Sequence, residues 1–265
     1  MAELIGGKGL DLTRAFLKKV MGSGRDRRYN LFLPNMWDIA AIKDDFTGPS
    51  INTFLWTVGN NGGAGAASPA ISVGVKNGII TMVTGTAGDN TATSTLAGGR
   101  HFTGESNAIM TARVAISAVV TSVKVEIGFR SAITTNTDAN EVVDVKATPT
   151  ARAVDGAVWI LDTDDNDYWE GVGIKNSVAA TTVEAAISPT ASTYEYLQVA
   201  LVGTTAFYSR FDANGFLTYG PTAQVDAVTA TALLSPHITI EARNATSKSL
   251  FVDAIWVYQA RTTTP

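Results

Sequence analysis

Ile71-Ser72-Val73-Gly74-Val75-Lys76-Asn77-Gly78-Ile79-Ile80-Thr81-Met82-Val83 reads as two strands around a turn. Ile71, Val73 and Val75 alternate with small or polar residues, which is the two-residue period of a half-buried strand. Asn77-Gly78 is a dipeptide suited to the positive φ angles of a tight hairpin. Ile79, Ile80, Met82 and Val83 supply the returning strand. The same grammar continues toward the C-terminus. Runs rich in Val, Ile, Thr and aromatic residues lie at 109–120, 123–129, 142–145, 154–161, 168–174, 194–202, 206–211, 237–242 and 250–258. These are strand formers, and Gly, Asn, Asp and Pro punctuate the gaps between them. Two stretches are looser. Residues 60–69 read as a glycine-bearing loop, and 87–99 as a loop or a weak edge strand. No long amphipathic helix follows residue 44. Many strands without alternating helices predict an all-β, two-sheet antiparallel sandwich.

Composition agrees with a packed domain. Hydrophobic residues make up 45% of the 265 residues and charged residues 17%, so the surface is covered by Thr, Ser, Asn and Gly more than by ions. The net charge of −4 gives the whole chain no call for nucleic acid or an anionic membrane. With no cysteine, disulfides, thiolate metal sites and thiol nucleophiles are excluded. No apolar run approaches the length of a membrane span, and Glu3 with the early glycines interrupts any secretory core. Synthesis in a cytoplasm without a signal peptide is the expectation.

The first residues differ from the rest. Residues 1–45 hold 8 Lys or Arg and 6 Asp or Glu of the chain's 20 and 24, so the arm is net positive and the remainder negative. Asp11 is placed to cap a short helix whose apolar positions are Leu12, Phe16, Leu17, Val20 and Met21, closed by Gly22-Ser23-Gly24. A helix this short needs a surface to lie on. Arg25, Arg27 and Arg28 follow. Then comes an apolar-aromatic stretch containing Tyr29, Leu31, Phe32, Leu33, Met36 and Trp37. Three fates are open to it: docking on another protein, packing on its own domain or trailing as a solvated tail, or binding phosphates. Aromatics and Met suit protein contact, and phosphate binding calls for a larger positive excess. Leu12, Phe16, Val20, Arg25, Arg27, Arg28, Tyr29, Phe32, Met36 and Trp37 are the expected partner-binding residues. The expected organisation is an arm over 1–43, a sandwich over 44–260 and a short tail over 261–265.

Asp44-Asp45-Phe46-Thr47-Gly48, then Trp56, then Asn77-Gly78-Ile79-Ile80 resembles the opening of the concanavalin A-like lectin/glucanase superfamily, in particular its laminarinase-like jelly rolls. Phe251-Val252-Asp253-Ala254-Ile255-Trp256-Val257-Tyr258-Gln259 resembles the closing strand. The likeness spans roughly 44–259 and implies a jelly roll, while one such fold hosts many activities. The family's glycosidases carry Glu-x-Asp-x-x-Glu on one strand, which pairs a nucleophile with an acid/base. That motif is missing here. Glu126 and Glu141 stand in strand-like runs without acidic companions, so a degenerate glycan-active enzyme is the weakest of three readings.

The other candidate sites are sparse. Asp162-Thr163-Asp164-Asp165-Asn166-Asp167 is the densest acidic stretch. Asp162, Asp164 and Asp167 could offer oxygens to calcium, but the EF-hand template fails and a hairpin turn explains the same composition. His101 and His237 stand alone. Trp159, Tyr168 and Trp169 could form a sugar-stacking platform, although aromatics in a sandwich are more often core. Arm-plus-sandwich layouts are similar to those of virion appendages, often trimeric. This resemblance implies a non-enzymatic bacteriophage virion protein of the capsid decoration or cement type. Its arm would dock on the major capsid protein, with neither membrane nor nucleic acid as partner. The second reading is a tail or fibre module that recognises a surface glycan.

Overall fold

Side-chain parity builds two sheets. The computed structural model describes residues 39–61, 65–72, 78–87, 92–132, 141–144, 146–185 and 187–260. The arm residues from Leu12 to Trp37, with their helix and docking assignments, lie outside the described residues, as does the tail over 261–265. Among the described residues every regular element is a strand.

The chain opens with β1 (Ile39–Asp44), β2 (Trp56–Asn61), β3 (Ala67–Ile71), β4 (Ile80–Val83) and β5 (Thr93–Gly98). The middle holds β6 (Ile109–Ile116), β7 (Val123–Arg130), β8 (Gly156–Asp162) and β9 (Asn166–Lys175), then the short β10 (Val178–Ala179) and β11 (Val183–Glu184). The end holds β12 (Glu195–Val202), β13 (Thr205–Phe211), β14 (Leu217–Gln224), β15 (Ser235–Ala242) and β16 (Ser249–Ala260). The first sheet runs β14-β13-β12-β6-β16-β4-β3 with β1 also on β16. The second runs β10-β9-β8-β7-β15-β5-β2 with β11 on β9. All pairings are antiparallel. The jelly-roll sandwich expected from the sequence is the fold.

Several expectations change in detail. The 71–83 hairpin exists, with Ile71 paired to Ile80, but its connection runs over 72–79 and is closed by Ser72 N–H donating to Ile79 O at 2.7 Å. Gly78 has φ +56°, and a Cβ there would lie 1.9 Å from the Phe46 carbonyl oxygen. Glycine is therefore required for a backbone crossing as well as for a turn. β1 begins at Ile39, inside the stretch read as arm, and pairs along β16 from Ala260 to Ile255. Within the stretch 87–99, β5 is an inner strand, lying between β15 and β2. Among the described residues of the run 142–145, Val143 forms an isolated bridge to Ala151. β14 carries Leu217–Gln224, which the sequence reading passed over.

The core lies between the sheets. Met110, Val114, Leu197, Val252 and Val257 of the first sheet meet Val125, Ile127, Phe129, Trp159 and Ile240 of the second. A smaller apolar cluster sits on the opposite face of the second sheet. There Val142, Val143 and Ala153 cover Val158, Ile160, Val172 and Ile174. The segment around 141–153 is thus a flap lying on one half of an outer sheet face.

Candidate functional site

The outer face of the second sheet gathers a cluster of buried ionisable side chains. Lys124 and Glu126 alternate with the core residues Val123, Val125 and Ile127 along β7, so they point away from the sandwich interior. β15 places His237, Thr239 and Glu241 on that same face, in register with Gly128, Glu126 and Lys124. The flap adds Glu141 and Asp144, β8 adds Asp162, and Arg243 follows β15.

These groups form one buried network. The Lys124 ammonium donates to the Glu141 carboxylate, to Val143 O and, at 3.0 Å, to Asp144 O. It lies 3.7 Å from Glu126 and 3.6 Å from Glu241. Glu126 accepts the Val142 and Val143 N–H groups at 2.6 and 2.9 Å, which pins the flap to the sheet. Arg243 donates to Asp162, to Glu241 at 3.1 Å and to Asp144 O at 3.0 Å. Lys124, Glu126 and Glu241 are no more than 1% exposed and Glu141 is 3% exposed. Burial pushes the Glu141 carboxyl up to about 8, against the pull of Lys124. For Glu126 burial also works upward, but the Lys124 charge and the nearby His237 ring outweigh it and hold the carboxyl low. Burial, with the Arg130 charge added, drives His237 down to about 4, so the ring is neutral at pH 7.

Three carboxyl groups around one ammonium give charge pairing and hydrogen bonding. A glycosidase pair has to flank a scissile bond. Glu126 and Glu141 are shut away beneath the flap and held by Lys124 and backbone N–H groups. The open part of the same face is elsewhere, over β15, β5 and β2. A cleft of about 490 Å³ lies there, lined by Thr57, Ala97, Gly98, Arg100, Arg130, Ser131, Ala132 and Ser235.

The platform drawn through Trp159, Tyr168 and Trp169 is corrected. Trp159 and Trp169 are both fully buried and point into the interior. The Trp159 indole donates to Gln198 O at 3.0 Å and meets Tyr208 and Tyr219 edge-on. The Trp169 indole donates to Glu195 at 2.9 Å, and Arg210 donates to the same carboxylate. Burial raises the Glu195 carboxyl. Tyr168 is next to Trp169 on β9, so it faces the other way and shares no surface with the two indoles. The acidic stretch is the hairpin turn between β8 and β9. The calcium set does not converge: Asp162 is 1% exposed and committed to Arg243, while Asp164 and Asp167 are exposed. Among the described residues no three Asp, Glu or His side chains are placed to share a metal ion.

Sequence reasoning missed the network itself. Its signal was present: Lys124 and Glu126, like Glu241 and Arg243, occupy alternate positions of otherwise apolar strands. Charges on one parity of central strands mark a polar outer face that something covers.

No family model matches the sequence, and no curated protein matches it. Solved structures match the fold. A protein of unknown function from Shewanella oneidensis MR-1 superposes with a TM-score of 0.60 at 15% identity, covering 86% of this chain and 89% of that one. Peanut lectin gives 0.55 at 10%, covering 85% of this chain and 100% of its own. The β-glucanase of Bacillus licheniformis gives 0.54 at 11%, covering 84% and 99%. The chain therefore has the two-sheet jelly-roll fold that these lectin and glucanase structures share.

Proposed function

We propose that the protein is a non-enzymatic virion structural protein of the capsid decoration or cement type, attached through the arm that precedes β1. The observation that carries the non-catalytic half is the sealing of Glu126, Glu141 and Glu241 around Lys124 beneath the flap. The attachment half is supported by the sequence of the arm. Arg25, Arg27 and Arg28 run into Tyr29, Phe32, Met36 and Trp37, and this apolar-aromatic stretch feeds directly into β1 on the first sheet. A trimer on a major capsid protein lattice is part of this reading, by analogy.

Copy number tests it. Electrophoresis of purified particles is expected to show hundreds of copies. A chain lacking residues 1–37, which keeps β1, is expected to fold and fail to bind empty shells. A handful of copies at a tail, or full binding without the arm, sinks the reading. The glycan-binding alternative loses the residues on which it rested, because Trp159 and Trp169 are core.

A further inference from the structure

We propose that the open cleft on the outer face of the second sheet binds an oxyanion, through Arg100 and Arg130. The site is separate from the arm, and the inference does not depend on the attachment reading. Arg130 ends β7 on the outer parity, opposite Ser235 of β15, while Thr57 and Ala97 of β2 and β5 continue the floor. Arg100 is exposed at the rim. Two guanidinium groups and the hydroxyls of Thr57, Ser131 and Ser235 therefore line one cleft, and no carboxylate stands among the described lining residues. A guanidinium fork matches a carboxylate, sulfate or phosphate with two parallel N–H donors.

His237 lies one register row along, paired with Ala97 on one side and Gly128 on the other. Its Nε2 is 2.9 Å from Thr239 Oγ1 and 3.8 Å from Glu126. That carboxylate also accepts the Val142 and Val143 N–H groups, so it is turned to the ring and the flap and does not line the cleft. Arg100 and Arg130 are the charged groups of the described lining, and the ligand they fit is a small anion, or the anionic group of a larger polar molecule.

The full chain is titrated with inorganic sulfate, inorganic phosphate, glucuronate and glucose, followed by amide chemical shifts and calorimetry. Saturable shifts at residues 98–100, 130–132 and 235–237 with at least one of the three anions, and none with glucose, are expected. Sulfate or phosphate alone points to a tetrahedral group, and glucuronate alone to a carboxylate. Arg100→Ala removes an exposed side chain and leaves the fold intact, and is expected to weaken binding about tenfold. Arg130→Lys keeps the charge but loses the fork and is expected to weaken it as well. No saturable shift with any anion overturns the proposal, as does glucose binding as well as glucuronate, or unchanged affinity in Arg100→Ala.

Discussion

At the scale of the residue, Lys124 is the most consequential side chain outside the apolar core. Its ammonium is 1% exposed and faces Glu126, Glu141 and Glu241. A buried ion is tolerable only when paired and hydrogen-bonded, and removing one partner leaves uncompensated charge. Lys124→Met is therefore expected to destabilise the fold by about 3–5 kcal/mol, read as a shift in the urea midpoint. Charge-conserving Lys124→Arg is expected to recover little, because the cage is filled by two backbone carbonyls as well as carboxylates. Little of this was legible in the sequence. Glu126 and Glu141 were visible as isolated acids in strand-like runs. What brings them together is pairing between strands far apart in the chain, plus a flap whose path no local pattern specifies. Trp56 was legible, being buried with its indole donating to Asp44 at 2.8 Å.

At the scale of the element, strands were readable where large β-formers carried them and unreadable where small residues did. β6, β7, β12 and β16 fall close to their expected positions because Val, Ile and aromatics mark them. β5, Thr-Ser-Thr-Leu-Ala-Gly, is an inner strand whose small side chains give almost no periodic signal. The Trp169 error came from reading proximity in sequence as proximity in space: Tyr168 and Trp169 are neighbours on opposite faces of β9. The flap poses a different case. Its apolar residues look like a strand over 142–145, but Val142 and Val143 lie on Val158, Ile160, Val172 and Ile174, donate their N–H groups to Glu126 and are tied to 151–153 by an isolated bridge. Ile160→Ala empties the middle of that small cluster. Its expected cost is about 2–5 kcal/mol locally. Hydrogen exchange should quicken at the Val142 and Val143 amides while β6 and β16 stay protected, because the main core on the other face of β8 is untouched. Uniform loss of protection across both sheets would show instead that the flap and the sandwich unfold as one unit.

For the whole molecule, the covered outer face ties stability to pH through two groups of opposite sign. His237 has its folded value driven from 6.5 to about 4 by burial and by Arg130. The unfolded chain then binds the extra proton between those values, so this contribution is present above pH 6.5 and is lost as pH falls toward 4. Glu141 is pushed by burial from 4.5 to about 8. Here the folded chain binds the extra proton, so the contribution is present below pH 4.5 and is lost as pH rises through 8. Glu195, also raised by burial, slopes the same way. Between pH 4.5 and 6.5 the His237 and Glu141 slopes oppose each other. From 6.5 to 8 only the downward slope survives, at up to about 1.4 kcal/mol per pH unit for each proton. The urea midpoint is thus expected to change little from pH 4.5 to 6.5, tilted downward by Glu195, and to fall more steeply from 6.5 to 8. Glu141→Gln, which keeps the shape and cannot lose a proton, should reduce that fall. His237→Gln should convert the level stretch into a continuous decline beginning near pH 4.5. A wild-type midpoint that climbs from 6.5 to 8 would mean that Glu141 is already ionised in the fold and that Lys124 outweighs its burial. Lys124 would then bind three full negative charges, and the cost of Lys124→Met should grow with pH across the same range.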